Sequence, residues 1–212
     1  LSITNGKQAS QAGGVENNGI LTLNDCIIAN NESPQGGGIQ NNLTLTMNRC
    51  FVYNNSAPSQ GSGLMIYGSM TTLNNSVFTN NQGAYAIDMS TAGTLTITNC
   101  TIAKNTGGGI KVSNSNATVT LKNTIVAENT GASSANIRNN VSASSAYNLI
   151  GTEGGNGGLT NGTNNNFVGS SPLFANSSDP DGADEIFGTA DDGLRLLTCS
   201  PALNAGNTAD AP

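Results

Sequence analysis

The stretch LTITNCTIAKN (Leu95–Asn105) carries a thiol and a lysine and runs on to three glycines, Gly107–Gly109. Taken alone it suggests a reactive cysteine beside a phosphate loop. It is not alone. LTLNDCIIANN from Leu21, LTMNRCFVYNN from Leu45, TTLNNSVFTNN from Thr71 and VTLKNTIVAEN from Val119 align with it without gaps. Cys26, Cys50, Ser76, Cys100 and Thr124 then share a column, at spacings of 24, 26, 24 and 24 residues. A small-residue patch before an aliphatic follows each segment: GGGI at Gly36, GSGL at Gly61, AYAI at Ala84, GGGI at Gly107 and a degenerate SANI ending at Ile137. Such self-similarity marks a repeat architecture.

The columns say which architecture. Leu23, Met47, Leu73, Ile97 and Leu121 stand three residues before the cysteine column, and Ile28, Val52, Phe78, Ile102 and Val126 two residues after it. Short alternating runs of this kind are strands, and the Asn, Gly and Ser between them are turn formers. No amphipathic run of helical period competes. The reading is therefore all-β: a single right-handed parallel β-helix with about 24 residues per turn, about six or seven turns, and an irregular C-terminal cap. Residues 1–150 would be regular turns, and 151–212 the last irregular turns and an acidic cap of the same domain. Stacked strands lie ~4.8 Å apart, so each column becomes a ladder. One column is asparagine throughout: Asn31, Asn55, Asn81, Asn105 and Asn129. Stacked amides can bond from rung to rung. Lys104 and Glu128, one position earlier, should meet on adjacent rungs.

GTLTITNCTIAKNTGGGI resembles the rungs of bacterial right-handed parallel β-helix repeat proteins of the polymorphic outer-membrane-protein type. The tail, NLIGTEGG followed by SSPLFANSSDPDGADEIFGTADDGLRLLTCSPALNAGN, resembles the C-terminal part of choice-of-anchor surface proteins. The resemblance covers nearly the whole chain. It implies a secreted or surface-displayed chain, with an anchoring or sorting domain beyond the present C-terminus, and a structural or adhesive role as passenger, stalk or fibre subunit. Leu1 lies inside a strand-like LSIT. The reading expects a mature chain or fragment whose open strand edge favours end-to-end self-association.

Composition narrows the chemistry. There is no histidine, which removes Ser-His-Asp and Cys-His catalysis and imidazole metal sites. Charged residues are 9% of the chain, and asparagine outnumbers even its 27 glycines. The net charge of −6 falls entirely beyond residue 178: before it, six acids balance six bases, and after it seven acids face Arg195. No basic stripe offers itself to nucleic acid, and no apolar run is long enough to span a membrane. Cys26 and Cys50 stack closely enough for a disulfide, but Ser76 and Thr124 in their column favour a buried ladder of small residues. The glycine patches continue as strand, against a nucleotide loop. Glycan cleavage needs paired carboxylates, and the acids of the rungs stand singly, so the expectation is no enzyme.

Two candidate sites remain. Thr22, Thr46, Thr72, Thr96 and Thr120 alternate with the apolar columns and should face outward, a regular hydroxyl array able to bind a glycan or ice. The simpler account is that threonine, being β-branched, suits strands. The other is DPDGADEIFGTADDG, where Asp179, Asp181, Asp184, Asp191 and Asp192 crowd into fourteen residues. Ca²⁺ takes ~6–8 oxygen ligands, and aspartates in a glycine-rich loop supply them. The spacing is not that of an EF-hand.

Overall fold

The computed structural model describes residues 1–131 and 134–210. Successive turns of the chain stack into three long parallel sheets. The eight-stranded sheet runs from Ser2–Thr4 through Ile27–Ala29, Phe51–Tyr53, Val77–Thr79, Thr101–Ala103, Ile125–Ala127 and Leu149–Ile150 to Phe167–Val168. The five-stranded sheet comprises Ile20–Asn24, Thr44–Asn48, Met70–Asn74, Gly93–Thr98 and Ala117–Lys122. The six-stranded sheet comprises Val15–Asn17, Ile39–Asn41, Leu64–Ile66, Ile87–Met89, Ile110–Val112 and Ile137–Arg138. This is the parallel β-helix that the repeat implied.

The sequence frame is also the register. Leu23, Met47, Leu73, Ile97 and Leu121 pair in succession, as do Ile28, Val52, Phe78, Ile102 and Val126. Both columns are buried, and a third, Ile39, Leu64, Ile87, Ile110 and Ile137, closes the core from the six-stranded sheet. Burying each such side chain stabilises by about 1.5–3 kcal/mol before conformational entropy is set against it.

The corners are made by left-handed backbone. Asp25, Arg49, Asn75, Asn99 and Asn123 have φ between 49° and 53°. Asn30, Asn54, Asn80, Lys104 and Glu128 have φ between 53° and 62°. Asparagine tolerates this region better than other side chains, which accounts for much of the asparagine in the chain.

Inside the second corner, the asparagine column bonds from rung to rung. Asn31 Nδ2 donates to Asn55 Oδ1, Asn55 to Asn81 and Asn81 to Asn105, each at 3.0 Å, and Asn105 to Asn129 at 2.9 Å. Each receiving Oδ1 also accepts the backbone N–H of the preceding rung's asparagine. Each Nδ2 also donates to a main-chain carbonyl, such as Val52 for Asn81.

The cysteine column corrects the expectation of simple small-residue packing. Cys50 N–H donates to Ser76 Oγ, Ser76 N–H to Cys100 Sγ, and Cys100 N–H to Thr124 Oγ1. Thr124 N–H then donates to Asn148 Oδ1, and Asn148 N–H to Asn166 Oδ1. It is a second polar ladder, because the corner turns each backbone N–H away from its strand and toward the next rung's side chain. Cys26, Cys50 and Cys100 are free and buried.

Winding continues past residue 150 to Phe167–Val168, which pairs with Leu149–Ile150. The residues after it form a strap closed on itself by the antiparallel bridge of Phe174 with Leu196. The strap lies along the flank of the eight-stranded sheet, from Phe51 to Asn123. Phe187 at its tip stacks on Phe51 at a centroid distance of 5.0 Å and tilts against Tyr53 at 4.9 Å. Its far end is fixed by Asp210 to Lys122 and by two hydrogen bonds between Asn207 and Asn123.

Candidate functional site

The strands of the five-stranded sheet stack Thr22, Thr46, Thr72, Thr96 and Thr120 in one file. The leucines, methionine and isoleucine beside them point into the core, so the threonines face out. Ile20, Thr44, Met70, Thr94 and Thr118 form a parallel outer file, interrupted by Ile20 at 84% exposure and Met70 at 50%. On the other side Asn74 Nδ2 donates to Asn48 Oδ1 and Asn48 to Asn24, at 2.9 and 2.7 Å. The result is a regular lattice of hydroxyls edged by amides.

Four of the six acids before residue 179 are paired with bases one rung away, while Glu16 accepts from the Asn18 and Asn42 amides and Glu153 from the Asn136 amide. Arg49 Nε and one terminal nitrogen each approach a different oxygen of Asp25 at 2.7 Å. That guanidinium holds the Asp25 carboxyl below its ordinary value. Lys7 meets Glu32 at 2.8 Å, and Lys104 meets Glu128 at 3.9 Å, as their columns implied. Asp88 is the buried member of this set: Lys111 lies 3.1 Å away and Ser113 Oγ donates to it at 2.8 Å.

In the acidic turn the carboxylates serve the main chain. Asp191 Oδ2 accepts from Asp184 N–H, and Asp184 Oδ1 from Ile186 N–H. Asp192 accepts from Gly188 N–H at 2.8 Å and from Thr189 N–H at 3.2 Å. Thr189 Oγ1 donates to Asp191 at 2.7 Å and keeps that carboxyl below its usual value. Burial raises the Tyr53 phenol, and the charges of Asp181 and Glu185 raise it further. Asp179 begins the turn, its N–H donating to the Asn176 carbonyl. Among the described residues no three Cys, Asp or Glu side chains are grouped to hold a metal ion.

The glycine patches and the three buried thiols of the ladder are structural. A Cβ on Gly107 would lie 2.2 Å from the Gly83 carbonyl oxygen, so the patch permits two rungs to approach. Burial pushes the Cys100 thiol up to about 12, which leaves no thiolate at neutral pH. A cleft of about 190 Å³ separates the strap from the last rungs. Ile125, Tyr147, Leu149 and Phe167 line one wall; Leu196 and Ala202 line the other.

The family model for the right-handed β-helix region matches residues 40–192. The chain belongs to the right-handed β-helix family. No curated protein and no solved structure matches it significantly. In this β-helix protein the periodic columns lead to the threonine file and to the Lys104–Glu128 pair. They do not lead to Phe187, whose partners lie more than a hundred residues away, or to Asn166, which enters its ladder after a shortened turn of 18 residues. The Asp25–Arg49 pair was legible, since both stand in one column with opposite charge.

Proposed function

We propose that this β-helix is a non-enzymatic extracellular adhesion module, displayed at a bacterial surface as a stiff rod, whose threonine face grips an extended polysaccharide. The observation that carries the reading is the lattice of outward hydroxyls from Thr22 to Thr120, repeated at the ~4.8 Å spacing of parallel strands. A ligand that is itself periodic can meet such a face many times over, and many weak contacts sum to useful avidity. Polysaccharide is favoured over ice because Ile20 and Met70 break the second file that a crystal plane would need. Binding is favoured over cleavage because Asp25, Glu32, Asp88 and Glu128 each face a base, and the other two acids of the coil, Glu16 and Glu153, stand on distant rungs bonded to amides.

The test is co-sedimentation with insoluble cellulose, chitin and peptidoglycan. Thr96→Tyr and Thr72→Tyr place a ring in the middle of the lattice without touching the core. Each is expected to weaken pelleting at least tenfold while the circular dichroism spectrum is kept. Pelleting unchanged in both variants, or absent from the wild type, overturns the reading.

A further inference from the structure

The corner column before the cysteine ladder reads Asp25, Arg49, Asn75, Asn99, Asn123, and pairing of Leu149 with Ile125 and Phe167 with Leu149 continues it to Tyr147 and Asn165. All seven have positive φ; that of Tyr147 is 58°. A bulky aromatic side chain is unfavourable in this region, and the fold does not ask for one there, since asparagine fills the same corner on both adjacent rungs. Arg49 is the column's other long side chain, but Tyr147 is its one aromatic and the one that lines a cleft, and strain kept where a cleft opens points to function.

The ring of Tyr147 lines the cleft beneath the strap, together with Phe167. Aromatic side chains are scarce in this chain, five Phe, four Tyr and no Trp. The other seven are engaged. Phe78 and Phe174 are buried, and Phe51, Tyr53 and Phe187 pack on one another. Tyr67 bonds to Gln35 and Gln60, and Tyr85 to the Ser134 carbonyl. Tyr147 and Phe167 thus bring two uncommitted rings to one cleft. Phe167 is 37% exposed, and the Tyr147 hydroxyl has no hydrogen-bond partner among the described residues. Asn123 cannot serve a ligand as well, because its amide is spent on Asn207.

We propose that this cleft is a subsite for one pyranose ring, with Tyr147 and Phe167 as its apolar platform and the Tyr147 hydroxyl as its polar contact. Its volume of about 190 Å³ is below the ~300–1,000 Å³ of sites that enclose drug-sized ligands, which limits the occupant to a single ring. A sugar matches the walls: C–H faces lie against rings, and hydroxyls meet the free phenol and solvent at the open side. The ligand class rests on the polysaccharide reading above; the site does not, being on a different sheet.

The test is saturation-transfer NMR of the whole chain with methyl hexopyranosides, and cyclohexanol as an apolar ring of equal size. At least one pyranoside is expected to bind in fast exchange while cyclohexanol does not. Tyr147→Asn is expected to weaken that binding tenfold or more while the melting temperature rises, since the corner is relieved. Phe167→Ala is expected to weaken it as well. Thr96→Tyr is expected to leave it unchanged, so loss of pelleting and loss of pyranoside binding are separable failures. Absence of any pyranoside signal, an equal signal from cyclohexanol, or full binding by Tyr147→Asn overturns the assignment.

Discussion

Asn81 has four hydrogen bonds through one amide. Its Oδ1 accepts from the Asn55 N–H and the Asn55 amide, and its Nδ2 donates to the Val52 carbonyl and to Asn105 Oδ1. None of these groups can reach water, since Asn81 is fully buried. Asn81→Ala removes the amide and leaves several buried partners unpaired, at about 1–3 kcal/mol for each unsatisfied group. We expect urea melts to show a loss of about 3–5 kcal/mol, larger than a typical single substitution. A loss under 1 kcal/mol would mean that the ladder is not a main support of the corner. The neighbouring corner position predicts the opposite sign. Lys104 occupies left-handed backbone at φ 62°, and its half-exposed contact with Glu128 at 3.9 Å is worth only ~0.2–1 kcal/mol. Lys104→Asn relieves backbone strain of about 1–2 kcal/mol, less asparagine's own smaller cost, and should raise the melting temperature. A lowered melting temperature would assign Lys104 a larger role than its geometry gives.

At the scale of the element, the strap is tied to the coil at its tip by Phe187 and at its end by Asp210 and Asn207. Hydrogen bonding and charge from Lys122 hold the Asp210 carboxyl below its ordinary value. A depressed carboxyl contributes stability that is present above its unfolded value, near 3.9, and is lost as pH falls through the lower folded value. Acidification below about pH 4 should therefore loosen the end of the strap. Hydrogen-exchange protection at residues 196–210, measured against the intrinsic rate at each pH, should fall between pH 5 and pH 3 more steeply in the wild type than in Asp210→Asn; equal slopes would remove Asp210 from the tether. The acidic turn carries a second expectation. Its aspartates close turns on main-chain N–H groups, so millimolar calcium should leave the melting temperature within about a degree of that in excess chelator. A calcium-dependent rise of several degrees would instead support a cation bound by Asp179–Asp192. The difference between these two regions explains what sequence could tell. The rungs were legible because each residue's neighbours lie one fixed period away, so a column in the alignment is a contact in space. The strap has no period. Nothing local to Phe187 names Phe51 as its partner, and nothing in YNLI marks Tyr147 as strained until the register places it in an asparagine column.

The whole molecule is a stack whose contacts join each turn to the next, so its stability is close to a sum over rungs and interfaces. The strap is the exception, because it spans several rungs at fixed length. Its tip rests at Phe51 and its end at Lys122 and Asn123, on the rung of Ile125. Between Phe51 and Ile125 lie three rung intervals, through Val77 and Thr101, or about 14 Å at the parallel strand spacing. Deleting residues 76–99 joins Asn75 to Cys100 and removes one whole repeat of 24 residues, so every inward column and both ladders stay in phase. The shortened chain should fold, with the β-sheet circular dichroism of the parent and a lower urea m-value, as expected for less buried surface. The strap should no longer fit, because its two attachment points are now about 5 Å closer. Limited proteolysis should cut the deletion variant between residues 177 and 192 under conditions that leave the parent intact, while its coil stays resistant. A strap as resistant as the parent's would mean that it adjusts to the spacing and does not measure it; a chain that fails to fold would mean that the rungs are not interchangeable.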